Sequence, residues 1–158
     1  MLAYKVDKKP VDWSENVYIQ PKLDGVRCVI QLDDKGNVYA YSRTGKPWMN
    51  IAHILEDLKP SFDLNPDMIL DGELYNHDLR DNFEKIISLV RKQKPTDSDI
   101  LDSKKLVQFH CYDYANTKDS YGIRMDNLAC SDFYSYCVKY VQTNLVLRMD
   151  DARVYHSR

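Results

Sequence analysis

Apolar and polar residues alternate along the segment after residue 25, a pattern typical of a strand with one buried face. A second alternating run follows, and the five residues between the runs (33–37) are turn formers that include Gly36. The alternate positions of the two runs are Val26, Cys28, Ile30 and Leu32, then Val38, Ala40 and Ser42. The pattern predicts a β-hairpin over residues 26–43.

Two later segments show the spacing of amphipathic helices. The first starts after Asn50, a preferred N-cap residue, and Pro60 is expected to end it. The second begins near Asp81, where Glu84 would complete a capping box, and it ends before Pro95. The apolar stripes are Ile51, Ile54, Leu55 and Leu58 in the first helix, and Phe83, Ile86, Ile87 and Val90 in the second.

The rest of the chain predicts two more strands and a third helix. Residues 68–75 form a strand interrupted by the Asp-Gly-Glu sequence at 71–73, residues 96–105 are a polar loop, and residues 106–115 form another strand. Ser131 is expected to cap the third helix. Meandering strands with separate helices predict an α+β fold with mainly antiparallel pairing rather than a doubly wound sheet.

Composition agrees with an ordinary globular chain, since 44% of the 158 residues are hydrophobic and 29% are charged. The length fits one domain. The formal net charge of −2 gives no overall basic signature for nucleic acid, so any such contact would be a local patch.

Targeting and metal signals are also missing from the sequence. No apolar run approaches the roughly 20 residues that span a bilayer, so no membrane partner is expected. Lys5, Asp7 and Lys8 interrupt any apolar segment of a signal peptide. The four cysteines form no Cys-x-x-Cys pair and have no histidine at a zinc spacing. We therefore expect reduced, mostly buried thiols in a cytoplasmic protein.

The segment with the clearest chemistry is residues 22–27, Lys-Leu-Asp-Gly-Val-Arg, which lies between two β-rich runs. Pro21 restricts the backbone that enters the lysine, and Gly25 permits a turn with positive φ. An amine, a carboxylate and a guanidinium around one bend suit a lysine nucleophile directed at phosphorus. Taken alone, Lys-x-Asp-Gly is equally an ordinary solvated turn.

Three further motifs follow in order: Ser-Arg-Thr-Gly-Lys at 42–46, Leu-Asp-Gly-Glu-Leu at 70–74 and Phe-His-Cys-Tyr-Asp-Tyr at 109–114. With residues 22–27, this series resembles the adenylation (nucleotidyltransferase) domain of ATP-dependent DNA ligases, especially the small phage-type enzymes. The resemblance covers nearly the whole chain and implies an ATP-grasp-like nucleotidyltransferase fold, incomplete at its C-terminal side. RNA ligase, mRNA-capping guanylyltransferase and a non-catalytic nucleotide-binding remnant stay open as alternatives.

The resemblance implies a catalytic role for Lys22, which would attack the α-phosphate of ATP and carry AMP covalently. Asp24 would lie beside the reacting groups and orient Lys22 or a metal. Arg27, Arg43 and Lys46 are the cations expected to hold phosphate oxygens. Cations near Lys22, or its partial burial, would lower its pKa, because attack needs a neutral amine.

The nucleoside contacts are implied in the same way. Glu73 would contact the ribose or lie near Mg²⁺, and Tyr112 would place its ring against the adenine. Ile19 and Gln20 would contact the edge of the base. Asp71 is expected to be a structural hydrogen-bonding residue.

The family's later Glu-Gly and Lys-x-Lys motifs do not follow, since the last glutamate is Glu84 and Lys-Gln-Lys at 92–94 comes too early. We therefore expect residues 1–158 to be the N-terminal portion of an adenylation domain, without the OB-fold domain. The isolated chain would be weak or inactive as a ligase. Its expected partners are nicked double-stranded DNA and a C-terminal half that supplies the remaining motifs and the OB-fold, in bacterial or phage-infected host cytoplasm.

Overall fold

A computed structural model describes residues 5–115, 118–131 and 133–156. The chain divides into two compact units, one built from Met1–Pro21 and Gln142–Arg158 and the other from Lys22–Val141. The strands are β1 (Val17–Ile19), β2 (Val26–Leu32), β3 (Val38–Tyr41), β4 (Leu70–Tyr75), β5 (Gln108–Tyr114), β6 (Val138–Tyr140) and β7 (Asn144–Val146). The helices are α1 (Ala52–Leu64), α2 (Phe83–Val90), α3 (Asp97–Leu106), α4 (Tyr121–Cys130) and α5 (Met149–His156), with a 3-10 turn at His77–Leu79.

The larger unit is organised by a five-stranded sheet in the order β3-β2-β4-β5-β6. All pairings are antiparallel except β5 with β6, which are parallel. Side chains alternate between the two faces of each strand. One face packs with α1 and α2 into a fully buried core that includes Ile30, Leu70, Phe109, Ile54, Leu58, Phe62, Ile86 and Leu89. The other face is left for polar side chains.

The smaller unit contains a two-stranded sheet and a helix. Its strands β1 and β7 pair antiparallel, with Val17 opposite Val146 and Ile19 opposite Asn144, and α5 follows β7 along the chain. Among the residues that the structure describes in the whole chain, no helix combines the length and apolar character needed to cross a bilayer.

The predicted hairpin is confirmed, because β2 and β3 pair antiparallel and the buried residues Cys28, Ile30 and Ala40 share one face. The prediction that Pro60 ends the first helix is wrong, since α1 continues to Leu64. Pro60 is exposed, so water can solvate the carbonyl that loses its helical donor. Burial of Phe62 one turn from Leu58 holds the helix together beyond the proline.

Two predictions about the region after α1 are wrong. No Asp81–Glu84 capping box forms, because α2 begins at Phe83 and its N-cap Asn82 makes no side-chain bond. Residues 96–105 are not a loop but largely α3, whose capping box joins Thr96 and Asp99. Acidic residues in the first turn of α3 and lysines in its last turn interact favourably with the helix dipole and stabilise the helix. The helix has no apolar stripe, so a search for hydrophobic periodicity does not detect it.

The third predicted helix, after Ser131, is also wrong. Residues Val138–Tyr140 form β6, and the helix of this region is α4, which ends just before Ser131. The prediction used the spacing of Phe133, Cys137, Tyr140 and Val141, and the buried members Phe133, Cys137 and Val141 lie in a turn and beside a short strand at intervals that a helix would also produce. The cysteine prediction is confirmed, because Cys28, Cys111 and Cys137 are buried free thiols and Cys130 alone is exposed.

Asn50 connects three elements instead of capping α1 by its side chain. Its φ is +56°, its amide donates to the carbonyls of Leu89 (3.3 Å) and Asp99 (3.1 Å), and its carbonyl accepts from Ser103 Oγ. We expect Asn50→Gly to lower the free energy of unfolding by about 1–2 kcal/mol, since it loses the two side-chain bonds and keeps the backbone. Asn50→Ala should lose about 1 kcal/mol more, because alanine disfavours positive φ.

Urea unfolding followed by circular dichroism measures both changes. Asn65→Ala is the matched control, since this exposed amide makes only a long 3.4 Å bond to Ser61. If Asn50→Gly were as stable as the parent chain, the connecting role of the amide would be disproved.

Candidate active site

Four polar residues stand side by side across the sheet, on the face opposite the core. Arg27 of β2 pairs with Glu73 of β4, Glu73 pairs with His110 of β5, and His110 pairs with Lys139 of β6. Burial lowers the pKa of His110 to about 4, helped by the charges of Lys139 and His77, so the imidazole is neutral. The strands therefore bring motifs that are distant in sequence into one polar band.

Asp71 accepts hydrogen bonds from two other side chains on this face of the sheet. Its carboxylate accepts two bonds from the Arg27 guanidinium, from Nε (3.0 Å) and Nη2 (2.6 Å), and one from the Tyr112 hydroxyl (3.3 Å). The Asp71 side chain is 11% exposed and that of Arg27 27%. Burial and the Asp71 charge raise the pKa of Tyr112, which keeps its hydroxyl a donor. The structural role predicted for Asp71 agrees with these contacts.

Tyr112 occupies an irregular position in β5. Asp71 pairs with Asp113 while Gly72 pairs with Cys111, so Tyr112 is the extra residue of a bulge. A bulge changes the direction of a side chain, and here it lets the Tyr112 hydroxyl reach Asp71. No residue pattern in β5 indicated the bulge.

Glu73 is half-buried, and its carboxyl has a raised pKa. Burial raises its pKa to about 7, the Asp71 and Asp24 charges act in the same direction, and Lys22 and Arg27 oppose them. Its Oε2 atom is buried and has no hydrogen-bond partner among the described residues. A carboxyl oxygen without a partner in a polar site is available to a ligand hydroxyl or a cation.

The loop with Lys22 and Asp24 lies against β4, and both side chains are exposed. A Cβ atom on Gly25 would overlap the carbonyl oxygen of Leu74 and come within 2.9 Å of Glu73 Cγ. Gly25 does not have the positive φ that its turn suggested, since among described glycines only Gly36 and Gly45 do. Close approach of the loop to β4 is therefore the reason for glycine at position 25.

A similar close approach explains Gly72, which is part of a continuous strand rather than a bend. A Cβ atom there would overlap the carbonyl oxygen of His110 and lie 2.6 Å from the Phe109 ring. The prediction that Asp-Gly-Glu interrupts the strand is wrong for this reason.

Arg43 and Lys46 lie on a tight exposed turn after β3. Gly45 has φ +78°, and the Ser42 amide donates to the Lys46 carbonyl (2.7 Å). Just beyond the turn, the Trp48 indole donates to the carbonyl of Arg27 (3.0 Å) and fixes the end of this segment to β2. Sequence reasoning missed this contribution of Trp48. The phosphate contacts of Arg43 and Lys46 stay predictions.

Ile19 and Gln20 belong to the smaller unit and are half-buried there. Ile19 ends β1, and the Gln20 amide donates to Thr143 Oγ1 (2.8 Å). Their contact with the adenine edge stays a prediction.

The charge of Glu73 gives a pH prediction. Because its folded pKa of about 7 exceeds the ordinary 4.5, the protonated form stabilises the fold below pH 4.5, and this stability is lost as pH rises through 7. In metal-free buffer we expect Glu73→Gln to be about 1–2 kcal/mol more stable than the parent at pH 8, after allowance for solvent screening, and nearly equal at pH 5.

Denaturant titrations at both pH values measure this difference. His110 adds its own pH dependence, because its pKa is about 4 in the folded chain and 6.5 ordinarily, so the difference between parent and variant isolates Glu73 where a single curve does not. A constant difference at both pH values would contradict the assignment.

The architecture is shared with solved DNA ligase structures. A Lig E DNA ligase described as binding DNA with a minimal scaffold superimposes with a TM-score of 0.70 at 19% identity, over 98% of this chain and 55% of that one. The ATP-dependent DNA ligase of bacteriophage T7, in complex with ATP, gives 0.67 at 15% identity, over 89% of this chain and 52% of that one. The chain thus spans about half of each, and it has the α+β nucleotidyltransferase fold of DNA ligases.

Comparison of the amino-acid sequence with family models identifies the family of this chain. The model of the family described as "ATP dependent DNA ligase domain" matches residues 1–121, so this chain belongs to the ATP-dependent DNA ligase domain family. No individual curated protein matches the chain.

Proposed function

We propose that this chain carries the nucleotide-binding portion of an ATP-dependent DNA ligase, in which Lys22 is the nucleophile. The observation that carries the proposal is the close approach of the loop with Lys22 to β4: a Cβ atom on Gly25 would lie 2.9 Å from Glu73 Cγ, and Glu73 has a buried oxygen without a hydrogen-bond partner among the described residues. The Arg27–Asp71–Tyr112 network lies on the same face. A lysine beside an incomplete polar site suits covalent capture of a nucleotide.

The chemistry follows from the amine. The Nζ lone pair of Lys22 attacks the α-phosphorus of ATP, the bond from that phosphorus to the bridging oxygen breaks, and pyrophosphate leaves with the electron pair. The Lys22 ammonium loses one proton before attack, and the nitrogen loses a second proton as its bond to phosphorus forms, which leaves a phosphoramidate. The Lys22 side chain is exposed, so water can accept these protons. The cations that would oppose its protonation are Arg27, already paired with Asp71, and Arg43 and Lys46 of the exposed turn.

Glu73 and Tyr112 suit the nucleoside. The Oε2 atom of Glu73 can accept from a ribose hydroxyl, and the Tyr112 ring supplies a stacking surface for adenine, worth about 1–3 kcal/mol. No group of three His, Cys, Asp or Glu side chains able to hold a metal occurs in the described part of the chain. Mg²⁺ nevertheless fits, because it binds through one or two carboxylates plus substrate phosphates. Glu73 and Asp24 would hold it, and it would neutralise phosphate charge.

The later steps belong to a longer assembly. AMP would pass from Lys22 to the 5′-phosphate at a nick in double-stranded DNA, and the 3′-hydroxyl would then displace AMP. A C-terminal half with the Glu-Gly and Lys-x-Lys motifs and an OB-fold would complete this chemistry. Such an enzyme would act in DNA replication, repair and recombination in a bacterial or phage-infected cytoplasm.

Incubation with Mg²⁺ and α-labelled ATP tests the proposal. We expect slow covalent labelling of the chain by ATP and none by GTP, with label released to nicked DNA only when the missing motifs are supplied. Labelling by GTP would favour a capping guanylyltransferase. Thermal stabilisation by ATP without an adduct in intact-mass analysis would reduce the chain to a nucleotide-binding remnant.

A further inference from the structure

The backbone of the bulge at Tyr112 is held from outside the sheet. The Tyr112 carbonyl accepts a hydrogen bond from the hydroxyl of Tyr121 (3.2 Å), the first residue of α4. At the other end of the residue, the Tyr112 hydroxyl donates to Asp71 (3.3 Å). Since a bulge disrupts the regular ladder at its extra residue, a contact from a helix takes part in fixing this peptide group.

Arg124 makes further contacts close to the bond between Tyr121 and Tyr112. Its guanidinium binds Asp113, the residue after the bulge, through Nε to Oδ1 (2.8 Å) and Nη2 to Oδ2 (3.2 Å). It also donates to the Asp119 carbonyl (2.9 Å) and lies 5.2 Å from the centre of the Tyr121 ring. The Asp113 and Arg124 side chains are only 15% and 17% exposed. The first turn of α4 is therefore joined to β5 by two contacts, the Tyr121 hydroxyl to Tyr112 and the Arg124 guanidinium to Asp113.

We propose that Tyr121 is a positioning residue for the nucleotide: its hydroxyl fixes the bulge peptide and thereby the plane of the Tyr112 ring that meets the adenine. The inference rests on the proposed stacking role of Tyr112. Tyr121 touches neither the substrate nor the reacting atoms in this assignment. Lys22 lies on a separate loop against β4. Loss of the Tyr121 bond should therefore weaken binding of the base without changing the rate of the covalent step.

Tyr121→Phe tests this directly, since it removes the hydroxyl and keeps the ring beneath Arg124. We expect the KM for ATP in self-adenylation to rise about threefold to tenfold, the value of one neutral hydrogen bond, with the rate at saturating ATP unchanged. Tyr136→Phe is the matched control, because Tyr136 makes the same kind of bond, from its hydroxyl to the Lys105 carbonyl (2.9 Å). This control should leave KM as in the parent.

A double-mutant cycle separates positioning from general stability. With Tyr112→Ala the ring is gone, so adding Tyr121→Phe should cause no further loss of ATP affinity. An equal loss in both backgrounds, or an unchanged KM in Tyr121→Phe alone, would overturn the inference.

A measurement without nucleotide distinguishes failure of this inference from failure of the proposed function. The Asp113 amide belongs to the same peptide group as the Tyr112 carbonyl, so its hydrogen exchange should be at least about threefold faster in Tyr121→Phe than in Tyr136→Phe. If the parent chain formed no adduct with ATP, the proposed function would fail while faster exchange still supported the anchoring role of Tyr121. Equal exchange in the two variants would overturn that role even if the parent were labelled by ATP.

Discussion

Lys22→Ala is expected to abolish covalent labelling by α-labelled ATP, with a loss of at least about a thousandfold, as for removal of a nucleophile in other covalent enzymes. Lys22 is the lysine named among the largest influences on the pKa of the half-buried Glu73 carboxyl. Lys22→Arg should be equally inactive, because a guanidinium stays protonated and cannot offer a lone pair. Intact-mass analysis detects the adduct, and acid lability with hydroxylamine resistance distinguishes a phosphoramidate from an acyl phosphate.

Lys35→Ala is the control for this experiment. Lys35 is an exposed lysine in the turn of the β2–β3 hairpin, so its loss removes the same charge without touching the site. The control should be labelled like the parent. Persistent labelling of Lys22→Ala would move the nucleophile to another residue and refute the mechanism.

Asp71→Ala is expected to cause the largest loss of stability among the site variants. It would leave the Arg27 guanidinium, only 27% exposed, without its bidentate partner, and the Tyr112 hydroxyl without its acceptor. Breaking a buried ion pair costs about 3–5 kcal/mol, and the partial exposure of Arg27 brings the expected loss to about 2–3 kcal/mol. Denaturant unfolding measures this change.

The exposed pair of Lys59 and Asp63 on α1 provides the comparison. Both side chains are more than half exposed, so Asp63→Ala should change the free energy of unfolding by less than about 0.5 kcal/mol. If the two aspartate variants behaved alike, Asp71 would be an ordinary surface ion-pair partner. ATP affinity should also fall in Asp71→Ala, because the Tyr112 hydroxyl loses its bond to Asp71.

The site could be predicted from sequence to the extent that turn chemistry and motif order indicate it. Lys22, Glu73 and Tyr112 belong to short motifs whose residue types carry recognisable chemistry. The tertiary features that bring these residues together could not be predicted from the sequence. The register that sets Arg27 beside Glu73, and the bulge that directs Tyr112 to Asp71, depend on pairing between distant strands.

The wrong predictions have a common physical origin in weak or ambiguous local signals. The α3 helix rests on the Thr96–Asp99 capping box and charged ends, so a search for apolar periodicity takes it for a loop. The short β6 strand presents apolar residues at intervals that a helix would also produce. Gly25 and Gly72 are interpreted as turn residues from sequence, although tertiary crowding by β4 and β5 is what requires them.

The antiparallel pairing of β2 with β4 and of β4 with β5 has a kinetic consequence. Arg27 and Asp71 are 44 residues apart in the chain, and Asp71 and Tyr112 are 41 apart, so both contacts close long loops. Such high contact order delays formation of these strands relative to local helices. A nascent or partly unfolded chain would thus hold Lys22 without its neighbours, and the reaction with ATP proposed for Lys22 would have to wait until these strands pair.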